Sequence, residues 1–187
     1  VEAAVEAQRS WAATSYEERS AVLRRAGDIL EAHGDISSDW LIREAGSAKG
    51  KSAFESHMVS GIFYAAAAIA LSPYGQLLRS GKPRLSLARR LPVGVVGVIS
   101  PFNFPQILSM RSVAPALALG NAVILKPDPR TAVSGGLVFA AILEEAGLPA
   151  GLFHVLPGGI EPATALIEHP AVRVISFTGS TNAGRAI

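Results

Sequence analysis

The chain has 187 residues, of which 49% are hydrophobic and 17% charged, with a formal net charge of +2. That mix excludes a disordered chain and fits a globular α/β domain, and the length suffices for one good core or a core plus an appendage. With no cysteine, disulfides, thiolate metal sites and a thiol nucleophile from these residues are excluded.

The amino-terminal segment, Val1 to Arg9, is amphipathic and lacks the basic start and apolar run of a signal peptide. Ser15, with Glu18 three residues on, has the spacing of a capping box and predicts a helix through Ala21, Val22, Leu23, Ile29 and Leu30. His33-Gly34 is expected to end that helix, with Gly34 in the left-handed conformation. Asp35 is expected to cap the next helix, which runs to Gly46. A third helix spans about Lys51 to Ala70, before Pro73. Its apolar stretch from Ile62 to Leu71 is too short to cross a bilayer and predicts a buried helix instead.

From Tyr74 to Arg90 the pattern changes. Leu85 and Leu87 alternate with Arg84, Ser86 and Ala88, which predicts a strand or ribbon. Arg79, Lys82, Arg84, Arg89 and Arg90 are read as a solvated face or an oligomer contact. No aromatic interleaving accompanies the basic residues, so no nucleic-acid partner is expected.

From Pro92 onward the pattern is βαβ. Strands are predicted at Val93–Ile99, Ala122–Leu125, Phe153–Leu156 and Val172–Phe177. Helices are predicted at Pro105–Leu119, where Pro115 should bend or interrupt the helix, at Thr131–Ala146 and at Pro162–Glu168. This alternation predicts an α/β, Rossmann-like open parallel sheet with helices on both faces. The expected organisation is amino-terminal helices over 1–72, an oligomerisation ribbon over 73–92 and a truncated cofactor-binding domain over 93–187. No cap or breaker closes the incipient helix at Thr181 to Ile187, and truncation at both ends is the expectation.

In such a sheet ligands bind beyond the carboxyl ends of the strands. The four tips are Ser100 to Pro105, Lys126 to Arg130, Pro157-Gly158-Gly159 and Thr178 to Gly184. The dinucleotide fingerprint GxGxxG is absent. The Gly179-Ser180-Thr181 turn is an anion candidate if a helix starts there, and otherwise an ordinary helix cap. Lys126 can reach a ribose or phosphate oxygen, or stands as a strand-end charge. Asn103, between two aromatics and two prolines, is either a turn former or an amide donor aimed at developing negative charge.

Pro92 to Pro105, Ala114 to Pro127, Gly147-Leu148-Pro149-Ala150-Gly151 and Phe177-Thr178-Gly179-Ser180-Thr181 together resemble the aldehyde dehydrogenase superfamily, most closely its benzaldehyde and vanillin dehydrogenase branch. The resemblance implies an NAD- or NADP-dependent enzyme. In that family a cysteine thiolate attacks the aldehyde and a glutamate activates water to release the acid. Both should lie beyond Ile187, so this chain alone is expected to be inactive.

By resemblance, Asn103 helps stabilise the oxyanion. Ile99, Ser100 and Phe102 line the nicotinamide end. Lys126 bonds the adenosine ribose, Gly159 lies near the adenine, and Gly179 and Ser180 hold the pyrophosphate. Phe102 stands where the family usually has Trp. Pro129 stands where NAD-preferring members have a glutamate for the ribose 2′-OH. With Arg130 adjacent, that departure predicts a relaxed preference admitting NADP. The resemblance further implies a small-molecule aldehyde substrate, a cytoplasmic homodimer or homotetramer, and no membrane partner. The competing expectations are a stand-alone nucleotide-binding or regulatory module without catalysis, and an acyl-phosphate reductase relative, which would lack the Pro-Phe-Asn-Phe-Pro tip.

Overall fold

A computed structural model describes residues 1–187. Four helices come first: α1 (Glu2–Ala13), α2 (Tyr16–Ala32), α3 (Gly34–Ala45) and α4 (Lys49–Ala70). An antiparallel ribbon follows, β1 (Gly75–Leu78) with β2 (Ser86–Arg89). The rest alternates as β3 (Val95–Ile99), α5 (Pro105–Ala118), β4 (Ala122–Lys126), α6 (Val138–Glu145), β5 (Phe153–Val155), α7 (Glu161–Glu168), β6 (Val172–Phe177) and α8 (Thr181–Arg185). No helix is long and apolar enough to cross a membrane.

The four-stranded sheet is parallel, in the order β5-β4-β3-β6. The chain steps outward from β3 to β4 to β5, then returns to place β6 on the other side of β3. Right-handed crossovers therefore put α5 and α7 on opposite faces. Adjacent residues of β6 record this: Ser176 bonds Ser112 of α5 at 2.9 Å, while Ile175 meets Leu166 of α7 over Gly97. Gly97 leaves room for that contact, since a Cβ there would lie 2.6 Å from the Ile175 side chain.

The core is continuous from the early helices into the sheet. Phe63 of α4 packs on Phe139 of α6 with ring centroids 6.3 Å apart. Arg19 and Arg25 of α2 donate to the carbonyls of Ala118 and Ala146 at the carboxyl ends of α5 and α6, where cations suit the helix dipole. Gln8 and Trp11 of α1 donate to Gly120 and Leu117, and Gly151 leaves space for Ala3 and Ala7, so α1 lies beneath the amino ends of the strands.

Three local expectations need correction. Gly34 does not end α2 in a left-handed turn. The chain turns at His33 (φ −120°), and Gly34 already begins α3, leaving Asp35 in its first turn rather than at its cap. Pro115 does not interrupt α5, because it sits in the last turn and only one ladder donor is lost. The helix expected over Thr131–Ala146 is three pieces: a 3₁₀ turn at Pro129–Thr131, a π-helical stretch at Val133–Leu137, and α6. Gly135 and Gly136 explain the wide middle piece. Cβ atoms there would lie 2.8 Å from Pro105 and from Val155, so the backbone is pressed against two neighbours at once.

The ribbon over 73–92 stands clear of the core. Leu77 and Leu87 are 70% and 66% exposed, and all five basic residues of the segment are exposed.

Candidate functional site

The switch in direction of the chain falls between β3 and β6, and the carboxyl rim there is where an open α/β sheet offers its crevice. Backbone bonds hold the four tips side by side. Ser100 N–H donates to Lys126 (3.2 Å), Thr178 N–H to Ile99 (3.0 Å) and Leu156 N–H to Leu125 (2.8 Å). The rim thus runs from Gly159 past Lys126 and Asn103 to Gly179 and Ser180, and every site residue expected from the sequence lies on it.

Their individual states differ. Lys126 is the last residue of a wholly buried strand and is only 8% exposed. Burial pushes its ammonium below the usual lysine range, with Asp128 opposing. The ammonium makes no hydrogen bond or ion pair within the chain. The Ser100 hydroxyl is turned inward to Ser109 at 2.7 Å, leaving its backbone as what it offers the rim. Ile99 is half-buried, and Gly159 is exposed. Ser180 serves as an ordinary cap of α8, its hydroxyl accepting from Ala183 N–H at 3.2 Å. Gly179 is where the chain passes over Phe177, for a Cβ there would meet that ring at 2.4 Å.

The Asn103 amide is exposed and makes no bond within the chain, but its neighbours are held. The Arg130 guanidinium lies 3.6 Å from the centre of the Phe102 ring, and the Lys51 ammonium 4.5 Å from that of Phe104. Each cation is itself paired. Arg130 donates to both oxygens of Asp128 at 2.8 and 2.9 Å, and Lys51 bonds Glu55. Two cation–carboxylate pairs therefore brace the two rings that flank Asn103.

Sequence reasoning missed the buried support beneath this tip. Glu55 is fully buried, and its carboxylate accepts the backbone N–H groups of Gln106 (2.8 Å) and Ile107 (3.3 Å). The Gln106 side chain bonds Ser37 and Ser56. Glu44 likewise accepts from Val133 and Ser134 at the π-helical stretch. One signal was available: the N-cap of α5 is Phe104, which has no capping oxygen, so the first N–H groups need a distant acceptor.

Two cavities, about 660 and 470 Å³, lie away from the rim, among α2, α3, α4 and α6. No cluster of His, Cys, Asp and Glu has the makings of a metal site.

The strand order, with the chain reversing between β3 and β6, defines the open, doubly wound α/β class of protein. Within that class the chain belongs to the aldehyde dehydrogenase family, whose model matches residues 1–187. It is 64% identical over 184 residues to a vanillin dehydrogenase of an Amycolatopsis strain, covering 98% of this chain and 38% of that protein. It is 48% identical to a benzaldehyde dehydrogenase [NAD(+)] of Pseudomonas putida, covering 100% of this chain and 39% of that one. The crystal structure of an NAD-dependent benzaldehyde dehydrogenase from Corynebacterium glutamicum superposes with a TM-score of 0.95 at 45% identity, over 99% of this chain and 41% of the other. The chain thus spans about two fifths of the length of these relatives.

Proposed function

We propose that this chain forms the NAD(P)-binding part of an enzyme that oxidises an aromatic aldehyde, of the benzaldehyde or vanillin kind, to its acid. The observation that carries this is Lys126: a lysine whose stem is buried and whose ammonium, unpaired within the chain, opens at the rim beside a tip that presents a free amide. A partly desolvated, unpaired charge favours a ligand that supplies counter-charge or hydrogen bonds. A ribose and its phosphates supply both, so the residues fit a nicotinamide dinucleotide. When bound, that cofactor supplies the two-electron acceptor.

The chain's own residues have separate tasks. Lys126 and the Gly159 tip receive the adenosine end. The Gly179-Ser180 turn offers backbone N–H groups to phosphate. Ile99, Ser100 and Phe102 form the floor toward the nicotinamide. Asn103 directs its amide N–H at an oxygen that gains negative charge during acyl transfer. With no cysteine, the chain performs no thiol chemistry unaided, and we assign it binding without turnover. The relatives named for vanillin and benzaldehyde support the substrate class.

Relaxed cofactor preference rests on Pro129 rather than on Arg130. Pro129 carries no carboxylate to repel a 2′-phosphate, and the nearby Asp128 is neutralised by Arg130. Arg130 is spent on Asp128 and Phe102, so it adds no free cation for NADP. The expected result is dissociation constants for NAD and NADP within about tenfold, 1.4 kcal/mol, of each other. A preference beyond about 100-fold, 2.7 kcal/mol, contradicts it. The function as a whole is tested by aldehyde-dependent cofactor reduction in the full-length protein carrying this chain, with benzaldehyde and vanillin against short aliphatic aldehydes.

A further inference from the structure

We propose that Arg130 is a positioning residue: it fixes Phe102, and through it Asn103, to the loop that carries Lys126. This rests on the functional reading above. Phe102 is 44% exposed, so the core does not hold its ring. What covers it is the Arg130 guanidinium, stacked at 3.6 Å from the ring centre. That guanidinium is fixed in turn. Its Nε and Nη2 donate to the two Asp128 oxygens, and its backbone N–H donates to Oδ1 at 3.0 Å. Asp128 lies two residues beyond Lys126 and caps the Pro129–Thr131 turn. The planar guanidinium suits both jobs at once, a two-toothed bond in its plane and a ring on its face; an ammonium does not.

The path is therefore continuous from the cofactor loop to the oxyanion tip: Lys126, Asp128, Arg130, Phe102, Asn103. Asn103 is in an exposed loop with no bond of its own to the chain. Its amide keeps its direction because the rings on either side keep their places. Loosening Phe102 lets the amide drift from the position where negative charge develops. That lowers the rate of the chemical step while leaving the ground-state hold on the cofactor largely intact.

The test measures kcat and the cofactor KM in the full-length protein, for wild type, Arg130→Ala, Arg130→Lys, Phe102→Leu and the double variant Arg130→Ala/Phe102→Leu. Arg130→Ala and Phe102→Leu should each lower kcat about 3- to 30-fold, the span of a cation–π contact, with the cofactor KM of Arg130→Ala changed less than about 2-fold. Arg130→Lys should fall between them and wild type. The double variant should be no slower than the worse single one, because both break one contact. Losses that multiply in the double variant overturn the proposal. So does a raised KM for NADP with kcat unchanged, which makes Arg130 a direct phosphate ligand. A wild-type protein that reduces no cofactor with any aldehyde overturns the functional reading itself, and this inference with it.

Discussion

The carboxylate of Glu55 on α4 caps helix α5 through the backbone N–H of Gln106 at 2.8 Å, across 51 positions of sequence. It replaces the cap that Phe104 cannot provide, and its other oxygen holds Lys51 against the Phe104 side of the Asn103 tip. Replacing Glu55 by Ala removes a buried acceptor for two backbone donors and strands Lys51. A loss of about 2–4 kcal/mol is expected in denaturant unfolding. Glu55→Gln should lose less, because one amide oxygen still accepts. Equal stability of Glu55→Ala and wild type would contradict the capping role.

Gly135 should tolerate no side chain. Its absent Cβ leaves the π-helical stretch in contact with Pro105, the first residue of α5. Gly135→Ala presses on the ring and backbone of Pro105, which are rigid, rather than on a flexible side chain. A cost of about 1–3 kcal/mol is expected from overpacking. Cofactor affinity should fall with it, since Pro105 anchors the Asn103 loop. Calorimetric melting and a cofactor titration on the same variant check both parts.

The Asp128 carboxyl is held below its ordinary 3.8, first by the hydrogen bonds from the Arg130 side chain. A lowered folded value means the pair stabilises the fold fully above the unfolded value. That contribution fades as the pH falls through the lower folded value. Asp128→Asn should therefore flatten the acid limb of melting temperature against pH below about pH 4. An unchanged acid limb would show that the pair contributes nothing.

Lys126 is expected to oppose stability and binding to each other. Its burial disfavours the charged form. Lys126→Met removes that cost, so the variant should be as stable as wild type or more so, by about 0.5–2 kcal/mol. In the wild type, only the ammonium form attracts a phosphate or donates to a ribose. Cofactor affinity should therefore hold steady around neutrality and weaken as the pH rises through the lowered lysine value. Lys126→Met should lack that alkaline weakening.

The sheet and its rim were legible because they depend on local rules. Buried strands read as apolar runs, and each run ends in Gly, Pro or polar residues that mark a tip. The supports were not legible, because they join residues far apart. Nothing near Phe104 says that its helix is capped by Glu55, or that Glu44 caps the π-helical stretch. The stacking of Arg130 on Phe102 was hidden for the same reason, and from the sequence Arg130 counted only as a cation adjacent to Pro129. Gly34 shows the opposite fault: a local rule for helix ends was applied where the next helix begins at once.

The binding claim is tested most directly by titrating the chain with NAD, calorimetrically, alongside Lys126→Met. Saturable binding that the substitution weakens at least about tenfold, 1.4 kcal/mol, is the expected result. Equal affinity in the two proteins, or no saturable binding by the wild type, would contradict the assignment of this rim to the cofactor.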